Sequence, residues 1–216
     1  QALPYFNTFF DGGSSFDFDP LFPLHGAAYH NDFNTYTSQG YRLTHVVRYL
    51  LSGIAHYAAT FEQSPGTGWV TYHGASESSH TASYNAWVSL GFRPVCISAV
   101  EENGSTYVTA LYDARNVGDL WGDHKLTEAQ FQSIHDQQTA LGRTLAAVRG
   151  YEAGGVTYLA AVWDSYSPVL WAAGLGMSSP GFQSQHNHWE NLGYLLRVAA
   201  AYISNGQITW SAHWSE

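Results

Sequence analysis

Hydrophobic and polar positions follow one pattern four times along the chain, marked by Gly40, Gly91, Gly142 and Gly193 at a constant spacing of 51 residues. The segments that begin there read GYRLTHVVRYLLSGIAHYAATFE, GFRPVCISAVEENGSTYVTALYD, GRTLAAVRGYEAGGVTYLAAVWD and GYLLRVAAAYISNGQITWSAHWS, and they align without a gap. A second glycine recurs at Gly53, Gly104, Gly155 and Gly206, and an aromatic at Phe61, Tyr112, Trp163 and Trp214. β-Branched and aromatic residues flank Asn103-Gly104 and Asn205-Gly206. Asn and Gly accept the positive φ of a tight turn, so each segment is predicted to be a β-hairpin.

Ahead of each leading glycine the apolar period becomes helical. In LTEAQFQSIHDQQTALG, Thr127 is placed to cap and Gln130 to close a capping box. Phe131, Ile134, His135, Gln138 and Leu141 then share one face, and Gly142 stands where a left-handed residue ends a helix. The same frame fits Ser76 to Gly91 and Ser178 to Gly193. A weaker copy runs from Gly26 to Gly40, with Phe33 and Tyr36 at the positions of Tyr84 and Trp87.

The expected fold is therefore α+β: four helix-plus-hairpin units with antiparallel strands, over about 26–75, 76–126, 127–177 and 178–216. One unit cannot bury its own apolar face, so the units must stack into a single domain. The pattern leaves open whether they form an open array or a closed, pseudo-symmetric ring. Residues 1–25, rich in Phe, Asp, Gly and Pro, stand outside the repeat and are expected to cap or wrap it.

Composition narrows the function. At 45% hydrophobic and 12% charged, 216 residues can bury a core, and no apolar run approaches the roughly 18 residues of a membrane span. Eight Lys+Arg against 17 Asp+Glu give −9, with no basic block, which argues against nucleic acid and anionic membrane as partners. Protonating all 11 His would carry the charge from −9 to +2, so charge-dependent behaviour is expected to change around pH 6. Cys96 has no partner cysteine and lies in the apolar run Pro94-Val95-Cys96-Ile97-Ser98, the setting of a buried, inert thiol. The chain opens at Gln1 without a signal-peptide pattern, as expected of a processed terminus or a fragment. Asn103-Gly104-Ser105 is a glycosylation acceptor. With the single lysine and many Ser, Thr, Gly and Tyr, this leads to the expectation of a secreted, extracellular protein.

The repeat itself sorts the candidate chemistry, because a residue type shared by several units reads as scaffold. Glu62, Asp113 and Asp164 recur at the end of the hairpin and read as turn or cap residues; only a ring would gather them as catalytic carboxylates. His135 and His186 are equivalent and read as core histidines bonded to a carbonyl. His186 and Glu190 share a helix face, too few ligands for a metal, and no metal or other cofactor is expected. Ser76 and Ser178 lack the final glycine of a nucleophile elbow and read as helix caps. Lys125, the only lysine, has Gly122 three residues before it, so a Ser-x-x-Lys dyad is excluded. What remains is aromatic and polar material in the long connections: Trp69, Tyr72, His73, Trp121, Asp123, His124, Tyr166 and Trp171. Such side chains can form a platform for sugar rings or a peptide. Trp69 and Trp171 share one unit position and can equally fill a gap between units.

GYRLTHVVRYLLSGIAHYAATFE and, more closely, LTEAQFQSIHDQQTALGRTLAAVRGYEAGGVTYLAAVWD resemble the tandem repeat found beside β-lactamase-like serine hydrolase domains. The chain looks like the N-terminal domain of the secreted fungal polyglycine hydrolases, over residues 30 to 216 or so. The resemblance implies a partner, a C-terminal β-lactamase-like domain whose Ser-x-x-Lys nucleophile cleaves glycine-glycine bonds in the linker of plant class IV chitinases. That motif is absent here, so the resemblance implies a non-catalytic accessory domain that binds substrate or supports the catalytic domain. The rival expectation is a lectin-like, carbohydrate-binding cell-wall module using the aromatics named above.

Overall fold

The computed structural model of the chain describes residues 18–51, 53–63, 66–165 and 170–216. The first unit consists of β1 (Phe18–His25), α1 (Gly26–Ser38), β2 (Arg42–Leu51) and β3 (Ile54–Glu62). The second has β4 (Trp69–Ser76), α2 (Glu77–Ser89), β5 (Arg93–Glu102) and β6 (Ser105–Asp113). The third has β7 (Leu120–Thr127), α3 (Glu128–Ala140), β8 (Thr144–Ala153) and β9 (Val156–Asp164). The fourth has β10 (Trp171–Ser178), α4 (Ser179–Asn191), β11 (Leu195–Ser204) and β12 (Gln207–Ser215). All four predicted helices and hairpins are present, and equivalent elements start 51 residues apart.

Local chemistry explains the element ends. Asn103 and Asn205 take φ of 53° and 50°, each followed by a glycine at positive φ, which gives the hairpin turns the twist their strands need. Thr127 and Gln130 form the capping box, and Ser76 and Ser178 accept from the amides of Ser79 and Gly181. Each helix stops in a Schellman turn: the Phe92 amide reaches the Trp87 carbonyl at 2.9 Å, with Gly91 left-handed between them. The accompanying side-chain contact is Tyr36–Tyr41, Trp87–Phe92 or Trp189–Tyr194, replaced in the third unit by a hydrogen bond from Arg143 to Gln138. On the predicted face of α3, Phe131 and Gln138 are buried, whereas Leu141 is exposed because it occupies the C-cap beyond the sheet.

The strand that precedes each helix was not anticipated. It pairs antiparallel with the last strand of its own unit, so the sheets run β1-β3-β2, β4-β6-β5, β7-β9-β8 and β10-β12-β11. Phe18–His25 are thereby the first strand of the first unit and not an external cap. Residues 1–17, the rest of the expected cap, lie outside the described residues. Units accordingly begin at 18, 69, 120 and 171.

Each helix covers one part of a sheet face, and the next unit covers another. β2 packs on β5, β5 on β8 and β8 on β11, and the array is open, without closure into a ring. The buried core is correspondingly split among the junctions: Leu43, Val46 and Phe61 meet Cys96 and Leu111, while Ile97, Val108 and Tyr112 meet Tyr151 and Val162. At the third junction Tyr202 lies on the bare backbone of Gly150, where an added Cβ would stand 2.2 Å from the ring. Gly150→Ala is therefore expected to lower the unfolding free energy by about 1–3 kcal/mol, the usual cost of overpacking, as measured by urea denaturation.

Candidate functional site

The singled-out residues occupy strands, not connections, and they are half-buried. Trp69, Tyr72 and His73 belong to β4, Trp121, Asp123 and His124 to β7, and Trp171 to β10. Tyr166 lies outside the described residues. They do not converge on one platform, because the repeat distributes them over three junctions. Trp69 meets Phe33 of α1 edge-on at 6.0 Å, and Trp171 meets His135 of α3 at 5.6 Å. Both therefore fill the gap against the preceding helix, the second of the two expectations. Tyr72 and Trp121 turn to their own unit, through the Trp87 indole N–H donating to the Tyr72 hydroxyl at 2.7 Å and a ring contact of Trp121 with Trp163. Asp123 accepts from the Lys125 amide at 2.8 Å.

Histidines are the polar element of these junctions. The His73 Nε2 lies 3.1 Å from the Tyr29 hydroxyl, and His80, fully buried, lies 2.8 Å from the Tyr112 hydroxyl while its ring meets that of His124. His135 and His186 accept from the indole N–H of Trp163 and Trp214, so the expected carbonyl partner is an indole in both units. Desolvation dominates their titration: burial pushes His73, His80 and His213 down to about 4, with His30, His124 and Arg197 as charged or titratable neighbours adding to it. Burial and Arg149 push His45 down to about 3, and burial lowers His124 and His135 as well. The charge change expected around pH 6 thus excludes His45, His73, His80 and His213 while the protein is folded. Among the described residues no three His, Cys, Asp or Glu are grouped to hold a metal ion. Cys96 is buried, its thiol donates to the Val46 carbonyl, and burial raises its pKa, as expected of an inert thiol.

Asp113 and Asp164 link units, and Asp113 also accepts from the Arg115 amide at 3.3 Å, a bond of the expected turn kind. Arg93 donates to Asp113 at 3.2 Å within its unit and reaches Asp164 of the next at 3.6 Å. Arg42 of the first unit stands 3.8 Å from Asp113, which also accepts from Arg115. Both aspartates are buried. Above this chain of charges two clefts open between neighbouring units. One, of about 340 Å³, is lined by Arg42, Thr44, Glu62, Thr67 and Arg115 among others; its neighbour, of about 330 Å³, by Phe92, Arg93, Arg115, Asn116 and Asp119 among others. Arg115 borders both, and its side chain is half exposed. Sequence reasoning passed over these arginines because Arg42 and Arg93 recur as scaffold, while Arg115 stands in a connection with no motif around it.

Chemically both clefts offer guanidinium N–H groups, and the first also the Thr67 hydroxyl, to a carbonyl-rich or anionic ligand. Two expectations follow from the buried ion pairs and histidines. Arg93→Met leaves two buried carboxylates with less compensation and should cost about 3 kcal/mol in urea denaturation. For the histidines, the unfolded chain takes up protons near pH 6.5 and the folded one only near 4, so the unfolded state binds more protons between those values. Stability is intact above pH 6.5 and falls with pH down to about 4, by about 1.4 kcal/mol per unit for each such histidine. The melting temperature should follow this course, and His80→Phe, which puts in the residue found at the equivalent Phe131 and Phe182, should make the fall shallower.

A family model for a polyglycine hydrolase-like structural repeat matches the chain four times, over residues 23–64, 66–115, 123–166 and 168–216. No match is found among curated proteins. The four matches follow the four strand-helix-hairpin units and together span most of the chain. It belongs to the family of the polyglycine hydrolase-like structural repeat.

Proposed function

We propose that the chain is a non-catalytic accessory domain of a secreted serine-type polyglycine hydrolase, acting beside a β-lactamase-like catalytic domain. In this role it holds the glycine-rich linker of the protein substrate, as in plant class IV chitinases. The observation that carries the reading is the fourfold match to a repeat described from such hydrolases. The state of the reactive side chains supports it. Asp113 and Asp164 are neutralised by guanidinium groups, Lys125 is paired with Glu77 at 2.8 Å, and the Cys96 thiol is buried. An extended polyglycine segment has no side chains and one carbonyl oxygen per residue, which suits the cleft lined by Arg42, Thr67 and Arg115. The carbohydrate-binding reading draws less support, since Trp69 and Trp171 are turned against α1 and α3. Asn103, exposed at the tip of the β5–β6 hairpin, is accessible to glycosylation in a secreted protein.

Calorimetric titration of the purified chain with a glycine-rich linker peptide tests this. Binding without cleavage is expected, weakened by about tenfold in Arg115→Ala. Release of peptide fragments by the chain alone, or absence of any heat of binding, would overturn the proposal.

A further inference from the structure

Most cations of the chain face carboxylates. Arg42, Arg48, Arg93, Arg115, Arg143 and Lys125 each stand within 3.8 Å of an Asp or Glu oxygen. Arg197 is exposed and donates to the Ser215 hydroxyl and the Glu216 carbonyl. Arg149 on β8 differs. Among the described residues no carboxylate stands within ion-pair distance of it, and the partner its guanidinium reaches is the His45 ring on β2, two units away.

To make that contact the side chain crosses the second unit near Cys96, which holds in β5 the place that His45 holds in β2, the first paired residue after the bulge. The cover is apolar. Cys96 is buried with Leu43, Val46 and Leu111, and Val148, next to Arg149 in sequence, is buried with Leu145 and Leu159. Arg149 itself is half-buried, and desolvation lowers its pKa, although a guanidinium keeps its proton throughout the working range of a protein. The other units carry Val47, Ser98 and Ala200 at this position, so the repeat does not require a charge there.

A cation drawn out of water without a counter-charge is strongly destabilising. Neither neighbour supplies that charge. His45, held down to about 3, is neutral in the folded protein and can only become positive. The Cys96 thiol keeps its proton, which it donates to the Val46 carbonyl, and burial raises its pKa. One net positive charge is left, on a guanidinium with N–H groups beyond the one given to His45. We propose that Arg149, where it meets His45, binds a monovalent anion such as chloride. A single negative charge balances the single guanidinium, whereas a divalent anion would leave an excess charge in the same apolar cover.

Thermal melting at constant ionic strength, with sodium chloride replacing sodium gluconate, tests the proposal free of general screening. Raising chloride from about 2 to about 200 mM is expected to raise the melting temperature by about 3 °C or more and to broaden the chlorine NMR line. Arg149→Met keeps the stem and removes the charge, so it should melt no lower than the wild type in gluconate and lose both chloride responses. Arg149→Ser, with the residue that β5 carries as Ser98, is the second variant should the first fail to fold. An equal rise with acetate would support the proposal and name a carboxylate as the anion. Three results would overturn it: a melting temperature indifferent to both anions, a rise that the Arg149 variants retain, or thiolate absorbance from Cys96 at neutral pH, which would place the counter-charge within the chain.

Discussion

The fold rests on a shortage of cover. A three-stranded sheet has more apolar face than one 13-residue helix can shield, and the remainder must be shielded by the next unit. That single requirement explains why the buried clusters join residues of neighbouring units, why β2, β5, β8 and β11 line up against one another, and why hydrogen-bonded sheets stop at unit boundaries. Hydrophobic burial is shared between units while backbone pairing is private to each.

The shared burial also decides what the polar groups can do. Aspartates that reach the junction need guanidinium partners from both sides, which Arg42, Arg93 and Arg115 supply. Histidines placed there need a hydroxyl or indole partner and lose their affinity for protons. Groups that look catalytic in one dimension are thereby committed to holding units together. The clefts with solvent access lie above the arginines and away from the aromatic residues of the first strands.

Legibility in the sequence followed locality. The capping box at Thr127 and Gln130, the left-handed glycines after each helix and the Asn-Gly turns are settled by neighbouring atoms, and each was readable. The first strand of each unit was not. WVTYHGAS, LWGDHKLT and WAAGLGMS have no clean alternation, carry a bulge midway, and pair with a strand more than thirty residues later in the chain. Missing that strand made Trp69, His73, His124 and Trp171 look like loop residues. The roles of Asp113 and Asp164 were hidden for the same reason, since their arginine partners come from other units or other strands. Open against closed stacking depends on the angle between units, which no local pattern encodes.

Private backbone pairing gives the array a mechanical character. Each unit closes its own sheet by bringing its first strand back onto its last, whereas adjacent units adhere through side chains, ion pairs and isolated hydrogen bonds. The chain also enters and leaves each unit side by side, Phe18 opposite Glu62, Trp69 opposite Asp113, Leu120 opposite Asp164 and Trp171 opposite Ser215, so tension between the two termini of the described chain pulls each ladder apart from its open end, one pair of hydrogen bonds at a time.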